Sequence, residues 1–388
     1  MNKSTTYTAR AARLAAWLHG HGVAAAVFYD AEGHRDSSVR YFTGHPSDAL
    51  VVIAADSAGS PCTLLCPWDV NLAAKIARAD VVLPFTDYRS DPVPALKAAL
   101  EKLNIPGDAN IDLPPATTYP DYRRMTAELA PRPLLCRGEG GAHQEAIRMR
   151  AVKDAAEIAA LREAARIADE LAGLVTEGVR RGSIVSEIDA ALLIERESRL
   201  RGADGPSFDT LAAGPERSFG IHCFPSYTAG PFASPGMSIL DFGVCWQGYR
   251  SDITLTFLRG TLSAAQEELA ILVERAYHAA LGLYKSGLPV YQAAQEAQRI
   301  FGEAGRKMPH GLGHGVGLDI HEYPRVRESA GPEEVFAPGM IVTLEPGLYD
   351  PALGGCRWEN DVLITDGGNQ VLTRSQIVRL EFRAYYKR

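Results

Sequence analysis

The stretch SILDFGVCWQGYRSDITLTF, residues 238–257, decides how this chain folds and what it can do. Its alternation makes a hairpin around Trp246-Gln247-Gly248, with Ser251, Ile253, Leu255 and Phe257 directed into a core and Asp252 on the other face beside Arg250, Thr254 and Thr256. Asp241 lies inside the otherwise apolar run MSILDFGVCW and approaches Asp252 across the turn. An unpartnered carboxylate is costly to bury there, so it calls for a cation. Three later stretches carry side chains of the same kind: HGLGHGVGLDIHE (310–322), VTLEPGLY (342–349) and CRWENDVLIT (356–365).

In the first of these, four glycines argue against a helix and for a loop and short strand that present His310, His314 and His321 closely. Pro346 biases Glu345 to an extended conformation at the end of an apolar strand. Glu359 follows the Gly354-Gly355 turn, on the same face of the next strand as Arg357. Asp241, Asp252, His314, Glu345 and Glu359 together offer four carboxylates and one imidazole. Such a set balances two divalent cations and leaves room for a bridging hydroxide, which is the centre of a hydrolase. The oxygen-rich ligands favour Mn²⁺, with Zn²⁺, Co²⁺ and Fe²⁺ as alternatives.

At 388 residues the chain exceeds what one hydrophobic core usually supports, and two domains are expected. Residues 1–140 alternate strands and helices as a small α/β domain. GEGGAHQE (138–145) marks a break, giving a linker over 141–153 and a second domain over 154–388. There a helix opens on the capping pair Asp154 and Glu157, with Ile158, Leu161, Ala165, Ala168 and Leu171 as its buried stripe. GVRRGSIVSEIDAALLIERESRLRG (178–202) follows, and a related pattern returns after a helix capped by Ser263 and Gln266, in KSGLPVYQAAQEAQRIFGEAG (285–305). Each copy runs helix, glycine turn, helix, strands, which reads as an internal duplication. The net charge of −7 excludes a nucleic-acid footprint, and no apolar run is long enough to cross a bilayer. Six scattered cysteines fit reduced thiols in a cytoplasmic protein. Cys62 and Cys66 have no second pair or nearby histidine to complete a zinc site.

The order Asp, Asp, His, Glu, Glu in these contexts resembles the M24 metallopeptidases, the family of methionine aminopeptidase, Xaa-Pro aminopeptidase and prolidase. The resemblance implies a pita-bread catalytic domain behind a creatinase/prolidase-type N-terminal domain, an α/β (α+β) architecture overall. It also implies that Asp241 ligates one metal and His314 the other, with Asp252 and Glu359 bridging. Glu345 would be both a ligand and the proton acceptor. His222, in ERSFGIHCFPS, and His321 fall where the family contacts substrate, His310 would shape the pocket, and Arg357 would pair with carboxylates or substrate. Asn360 departs from the acidic residue usual after the last ligand and is expected to modulate activity.

The longer layout points to the proline-directed members, hence to short Xaa-Pro peptides cut as dipeptides or as aminopeptidase substrates. Arg325 stands where short prolidases are similar, and a guanidinium there could grip a C-terminal carboxylate. The charged loop DAEGHRDSSVRYFTG (30–44) is expected to bring His34 or Asp36 to a neighbouring active site in a homodimer. Two other classes remain open. One is a non-peptidase enzyme on the same fold, either a small-molecule amidohydrolase of ectoine or creatine type or a sulfonium-acid lyase; the other is a binding module, which the intact ligand set disfavours.

Overall fold

The computed structural model describes residues 3–55 and 60–380 and divides into two compact units, residues 1–150 and 151–388. In the first unit a six-stranded sheet runs in the order Val81–Val82, Pro61–Pro67, Ala49–Ala55, Ala25–Asp30, Ile111–Leu113, Leu134–Cys136. The three middle strands are antiparallel, and parallel strands extend both edges. Val27, Leu50, Val52, Leu64, Leu96 and Leu100 fill the core between the sheet and the helix Pro92–Lys102. The stretch 30–44, expected as a loop, contains the helix Ser37–Thr43. Asp36 caps it by accepting from the Ser38 amide, and Gly44 closes it in a left-handed conformation at φ 76°. Its aromatic pair Tyr41 and Phe42 is buried, which is why so short a segment holds its helix. The stretch 141–153, expected as a linker, is mostly the helix Ala142–Ala151.

The second unit opens on the capping box read from sequence. Asp154 accepts from the Ala156 and Glu157 amides, Glu157 reaches back to the Asp154 amide, and the helix runs over Ala155–Arg181. Its buried face, Ile167, Ala168, Leu171 and Val175, meets Leu240, Phe242, Ile253, Leu255 and Phe257 from the strands. The second copy repeats the plan. Helices Ala264–Leu281, capped by Ser263 and Gln266, and Val290–Glu303 bury Val273, Ala276, Ala297 and Phe301 against Val342, Leu344 and Val362.

Two sheets follow from the two copies. One orders Ile377–Leu380, Ile253–Arg259, Gly236–Phe242, Leu211–Ala213, and the other orders Glu322–Val326, Gly313–Gly315, Ile341–Leu344, Asn360–Thr365, Gly368–Val371. A single bridge between Thr254 and Glu359 joins them. Glu359 therefore sits at the seam, between the strands Gly354–Arg357 and Asn360–Thr365 and not within the second, as alternation alone suggested. No helix among the described residues is long and apolar enough to cross a membrane.

One buried ion pair links the start of this unit to the histidine segment. Lys153 Nζ donates to Glu322 Oε2 at 3.0 Å, with both side chains shielded from water. Removing one member of such a pair strands the other charge, so Lys153→Met should lower unfolding free energy by about 3–5 kcal/mol. Urea denaturation of the variant checks this, and a loss below about 1 kcal/mol would mean that Glu322 finds compensation elsewhere.

Candidate active site

Strand geometry delivers the five carboxylate and imidazole side chains to one place. Asp241 stands opposite Thr254 in the antiparallel pairing of Gly236–Phe242 with Ile253–Arg259, and Asp252 immediately precedes the second of these strands. His314 is the middle residue of Gly313–Gly315, which lies so close to the next strand that a Cβ on Gly313 would sit 2.0 Å from the Thr343 carbonyl. Glycine is required there for the imidazole to reach the carboxylates. Glu345 directly follows the strand Ile341–Leu344, with its amide donating to the Leu312 carbonyl at 2.9 Å. All five line a cavity of about 500 Å³, together with His222, His310, His321, Arg325 and Arg357.

The electrostatics of this cluster are those of a cation site. His314 Nδ1 lies 3.1 Å from the Gly315 carbonyl, which can only accept, so Nδ1 carries the proton and Nε2 presents its lone pair. That lone pair faces Asp252 Oδ2 at 3.7 Å and Glu345 Oε1 at 3.5 Å. Burial lowers His314 to about 3, so its ring is neutral at ordinary pH. Burial raises Glu345 to about 7, and burial followed by the Glu359, Asp241, Asp361 and Glu345 charges pushes Asp252 far above the carboxylate range. One ligand atom each from Asp252, His314 and Glu359 lies within 4.8 Å of the others. Oδ1 of Asp241 and of Asp252 is buried without a hydrogen-bond partner. Lone pairs turned on one another and orphaned carboxylate oxygens fit divalent cations and fit little else.

Asp241 is turned differently from the other four. Its Oδ2 accepts from Arg357 Nη2 at 2.6 Å, and burial raises it against the pull of that guanidinium. Arg357 is itself buried and braced from several sides. Nε donates to Thr254 Oγ1 at 3.0 Å, and Nη1 donates to Tyr349 Oη at 2.8 Å and to the Ile221 carbonyl at 3.2 Å. Tyr349 then bonds His310 Nε2 at 3.0 Å, while His310 Nδ1 donates to the Gly311 carbonyl at 2.8 Å. Burial lowers His310 to about 4, so it accepts from the phenol as a neutral ring. His321 packs against His314 with ring centroids 4.3 Å apart, its own pKa lowered by burial and by Arg325. Arg325 pairs with His314 across the strands, so its side chain starts from the cavity wall.

Several supporting residues went unread in the sequence. Thr254 Oγ1 donates to Glu359 Oε2 at 2.6 Å, Thr343 Oγ1 lies 3.4 Å from Glu345 Oε1, and Asp361 Oδ2 accepts from the Asp252 amide at 3.1 Å. Asp361 is buried at the head of the apolar stretch Val362-Leu363-Ile364, behind the polar Glu359 and Asn360, and burial raises it to about 8. Tyr349 carried no signal in the sequence. Cys66, by contrast, is core, its thiol raised to about 12 by burial. Asp36, as the cap of its helix, has its carboxylate engaged by the Ser38 amide, and its other oxygen lies 3.9 Å from His143 Nδ1.

These features fit a metal centre. Residues 159–366 match the model of metallopeptidase family M24. The Bacillus subtilis protein YkvY, provisionally named a dipeptidase, is 30% identical over 376 residues, covering 94% of this chain and 97% of that one. An Xaa-Pro dipeptidase of Pyrococcus horikoshii is 35% identical over 230 residues, 59% of this chain and 64% of its own. Among solved structures, the Xaa-Pro dipeptidase from Bacillus anthracis superposes with a TM-score of 0.81 at 26% identity, covering 96% of this chain and all of that one. The chain belongs to the M24 metallopeptidases, with the expected pita-bread fold, and is a hydrolase of the peptidase class.

Asn360, the departure noted from the family pattern, is fully engaged away from the cavity. Its Oδ1 accepts from Thr373 Oγ1 at 2.9 Å and the Ser375 amide at 2.8 Å, and its Nδ2 donates to Tyr277 Oη at 3.1 Å and the Ser375 carbonyl at 3.3 Å. Asn360→Asp would set an acceptor against that carbonyl, costing about 1–3 kcal/mol of stability with metal content unchanged. Thermal unfolding and metal analysis of the variant check both halves.

Proposed function

We propose that this protein is an Xaa-Pro peptidase acting on short peptides, with two divalent cations, Mn²⁺ by preference, held by Asp241, Asp252, His314, Glu345 and Glu359. The observation that carries the metal assignment is the neutral His314 Nε2 facing two carboxylates at 3.5 and 3.7 Å with Glu359 beside them. The named Xaa-Pro dipeptidases among the relatives support the choice of bond. Bound, the cations would supply Lewis acidity and a water acidified to near neutrality as nucleophile.

The residues of the chain do the rest. Glu345 accepts the proton of the attacking water on its carboxylate and returns it to the prolyl nitrogen as the bond breaks. His222 and His321 donate to the oxyanion of the tetrahedral intermediate from the cavity wall. Arg357 fixes Asp241, and through Tyr349 it fixes His310. Arg325 receives the C-terminal carboxylate of a dipeptide. The homodimer that the family resemblance implies and the cytoplasmic location expected from the scattered cysteines belong to the same proposal, and sedimentation at two protein concentrations tests the first.

Product analysis by mass spectrometry of Mn²⁺-loaded protein with Ala-Pro, Ala-Pro-Ala and Ala-Ala-Ala, beside a chelator-treated control, tests the reading. Cleavage of Ala-Pro alone makes it a prolidase, and cleavage of Ala-Pro-Ala makes it an aminopeptidase. If no peptide is cut while metal stays bound, a small-molecule amidohydrolase or lyase replaces it. Glu345→Ala should cost several orders of magnitude in kcat, and a variant that keeps a tenth of the activity would remove Glu345 from the proton-transfer role. His222→Ala and His321→Ala should keep their metal and lose about 10²–10³-fold in kcat.

A further inference from the structure

The segment 214–230 forms neither helix nor strand, yet it supplies Ile221, His222, Cys223 and Ser226 to the cavity wall. No ladder holds this backbone in place. Most of its outer contacts meet at one carboxylate. Glu187, the first residue of the helix Glu187–Leu200, is 1% exposed. Its Oε1 accepts from the Gly214 amide at 2.8 Å, and its Oε2 accepts from the Thr228 amide at 2.7 Å, from Thr228 Oγ1 at 2.6 Å and from Arg217 Nη1. Arg217 passes Nη2 on to the Pro225 carbonyl. In the reverse sense, the Glu187 and Ile188 amides donate to the Gly230 and Thr228 carbonyls, each at 3.0 Å. Both ends of the segment and its centre therefore close on one helical turn.

The near end is tight enough to exclude a side chain, since a Cβ on Gly214 would lie 2.0 Å from the Pro231 carbonyl. On the cavity side two further ties finish the placement. Ser218 Oγ accepts from the Gly355 amide at 3.0 Å, and the Ile221 carbonyl, one residue before His222, accepts from Arg357 Nη1 at 3.2 Å. His222 is thus carried on a span clamped outside by Glu187 and inside by Arg357.

We propose that Glu187, through Arg217 and Thr228, is the positioning residue for His222, setting the imidazole at the scissile bond without touching substrate or metal. This rests on the reading of His222 as an oxyanion donor. Four donors converge on Glu187, and a glutamine in its place offers one accepting oxygen and an NH₂ that must face some of those donors. Glu187→Gln therefore loosens the clamp while keeping its shape. Thr228→Val removes one donor and keeps the backbone contact, which makes it the milder probe if the glutamine variant folds poorly.

The experiment is a double-mutant cycle on the full chain with bound metal. Glu187→Gln should retain the wild-type metal content and lose about 10²-fold in kcat, the usual cost of a misplaced catalytic group. Thr228→Val should lose less. In a His222→Ala background, Glu187→Gln should change kcat by no more than about twofold, because residues acting through one group are not additive. Independently of any substrate, ¹⁵N-histidine NMR of the protein loaded with diamagnetic Zn²⁺ should show the His222 ring signals displaced in Glu187→Gln and in Thr228→Val. Multiplicative losses in the cycle, or unmoved His222 signals, overturn the proposal. Displaced signals in a protein that cuts no peptide would sink the peptidase reading and leave the positioning role standing.

Discussion

The structure of the second unit turns on one unfavourable interaction, the mutual repulsion of four carboxylates around a neutral imidazole, with Asp252 and Glu359 buried and Asp241 and Glu345 partly exposed in the cavity. Asp241, Asp252, Glu345 and Glu359 are all raised in pKa, first by burial and, for Asp252 and Glu359, next by neighbouring acids. No packing gain arises from crowding these groups, and a soluble fold left to itself would spread them. They stay together because the backbone leaves them no alternative. Asp241 belongs to a strand paired with the one that Asp252 immediately precedes, Glu359 is bridged to Thr254, and His314 is pressed against Thr343 by the absence of a side chain at Gly313. Two cores, one behind each copy of the helix–turn–helix–strand unit, support that arrangement from both sides.

The supporting polar contacts share a pattern. Thr254, Thr343 and Arg357 each engage one oxygen of a cavity carboxylate, and the Asp252 amide engages one oxygen of the supporting acid Asp361. Such contacts fix the direction of the lone pairs before any ligand arrives, which is what a preorganised metal site requires. The same economy extends outward. Arg357 serves Asp241, Tyr349 and the Ile221 carbonyl at once, and the Ile221 contact reaches the segment that Glu187 secures from the other side.

How much of this could be read from the sequence follows from how local each signal is. The capping boxes at Asp154 and Ser263 declare themselves within four residues, and both helices start where those boxes place them. Asp241 was legible because a carboxylate interrupts an apolar run, and the histidine segment because glycines rule out a helix. The helix Ser37–Thr43 was not, since its charged flanks read as loop and its stability comes from burying Tyr41 and Phe42. Asn360 announced itself as a departure, but its partners Tyr277, Thr373 and Ser375 come from other elements, and its structural task is invisible along the chain. Glu187 looked like an ordinary first-turn acid, which favours helix starts in any protein. Only tertiary contact reveals that it organises a segment some thirty to forty residues further on.

Charge arithmetic connects the buried site to its substrate. Four carboxylates balance two divalent cations, and the Arg357 guanidinium then stands as a surplus positive charge beside Asp241. Arg325 and Arg327 also line the cavity, against the single additional acid Asp209. With the two proposed cations bound, the cavity would be net positive and would favour whatever brings or develops negative charge inside it. A peptide hydrolysed there offers both, a carboxylate at its C-terminus and an oxyanion at the carbonyl under attack. Asp241 keeps one oxygen on Arg357 and leaves the other unpartnered, so the surplus charge is held at a fixed point and not scattered over a mobile side chain. The guanidinium holds Asp241, braces His310 through Tyr349 and biases the field towards anionic groups, three tasks that a neutral hydrogen-bond donor at position 357 could not combine.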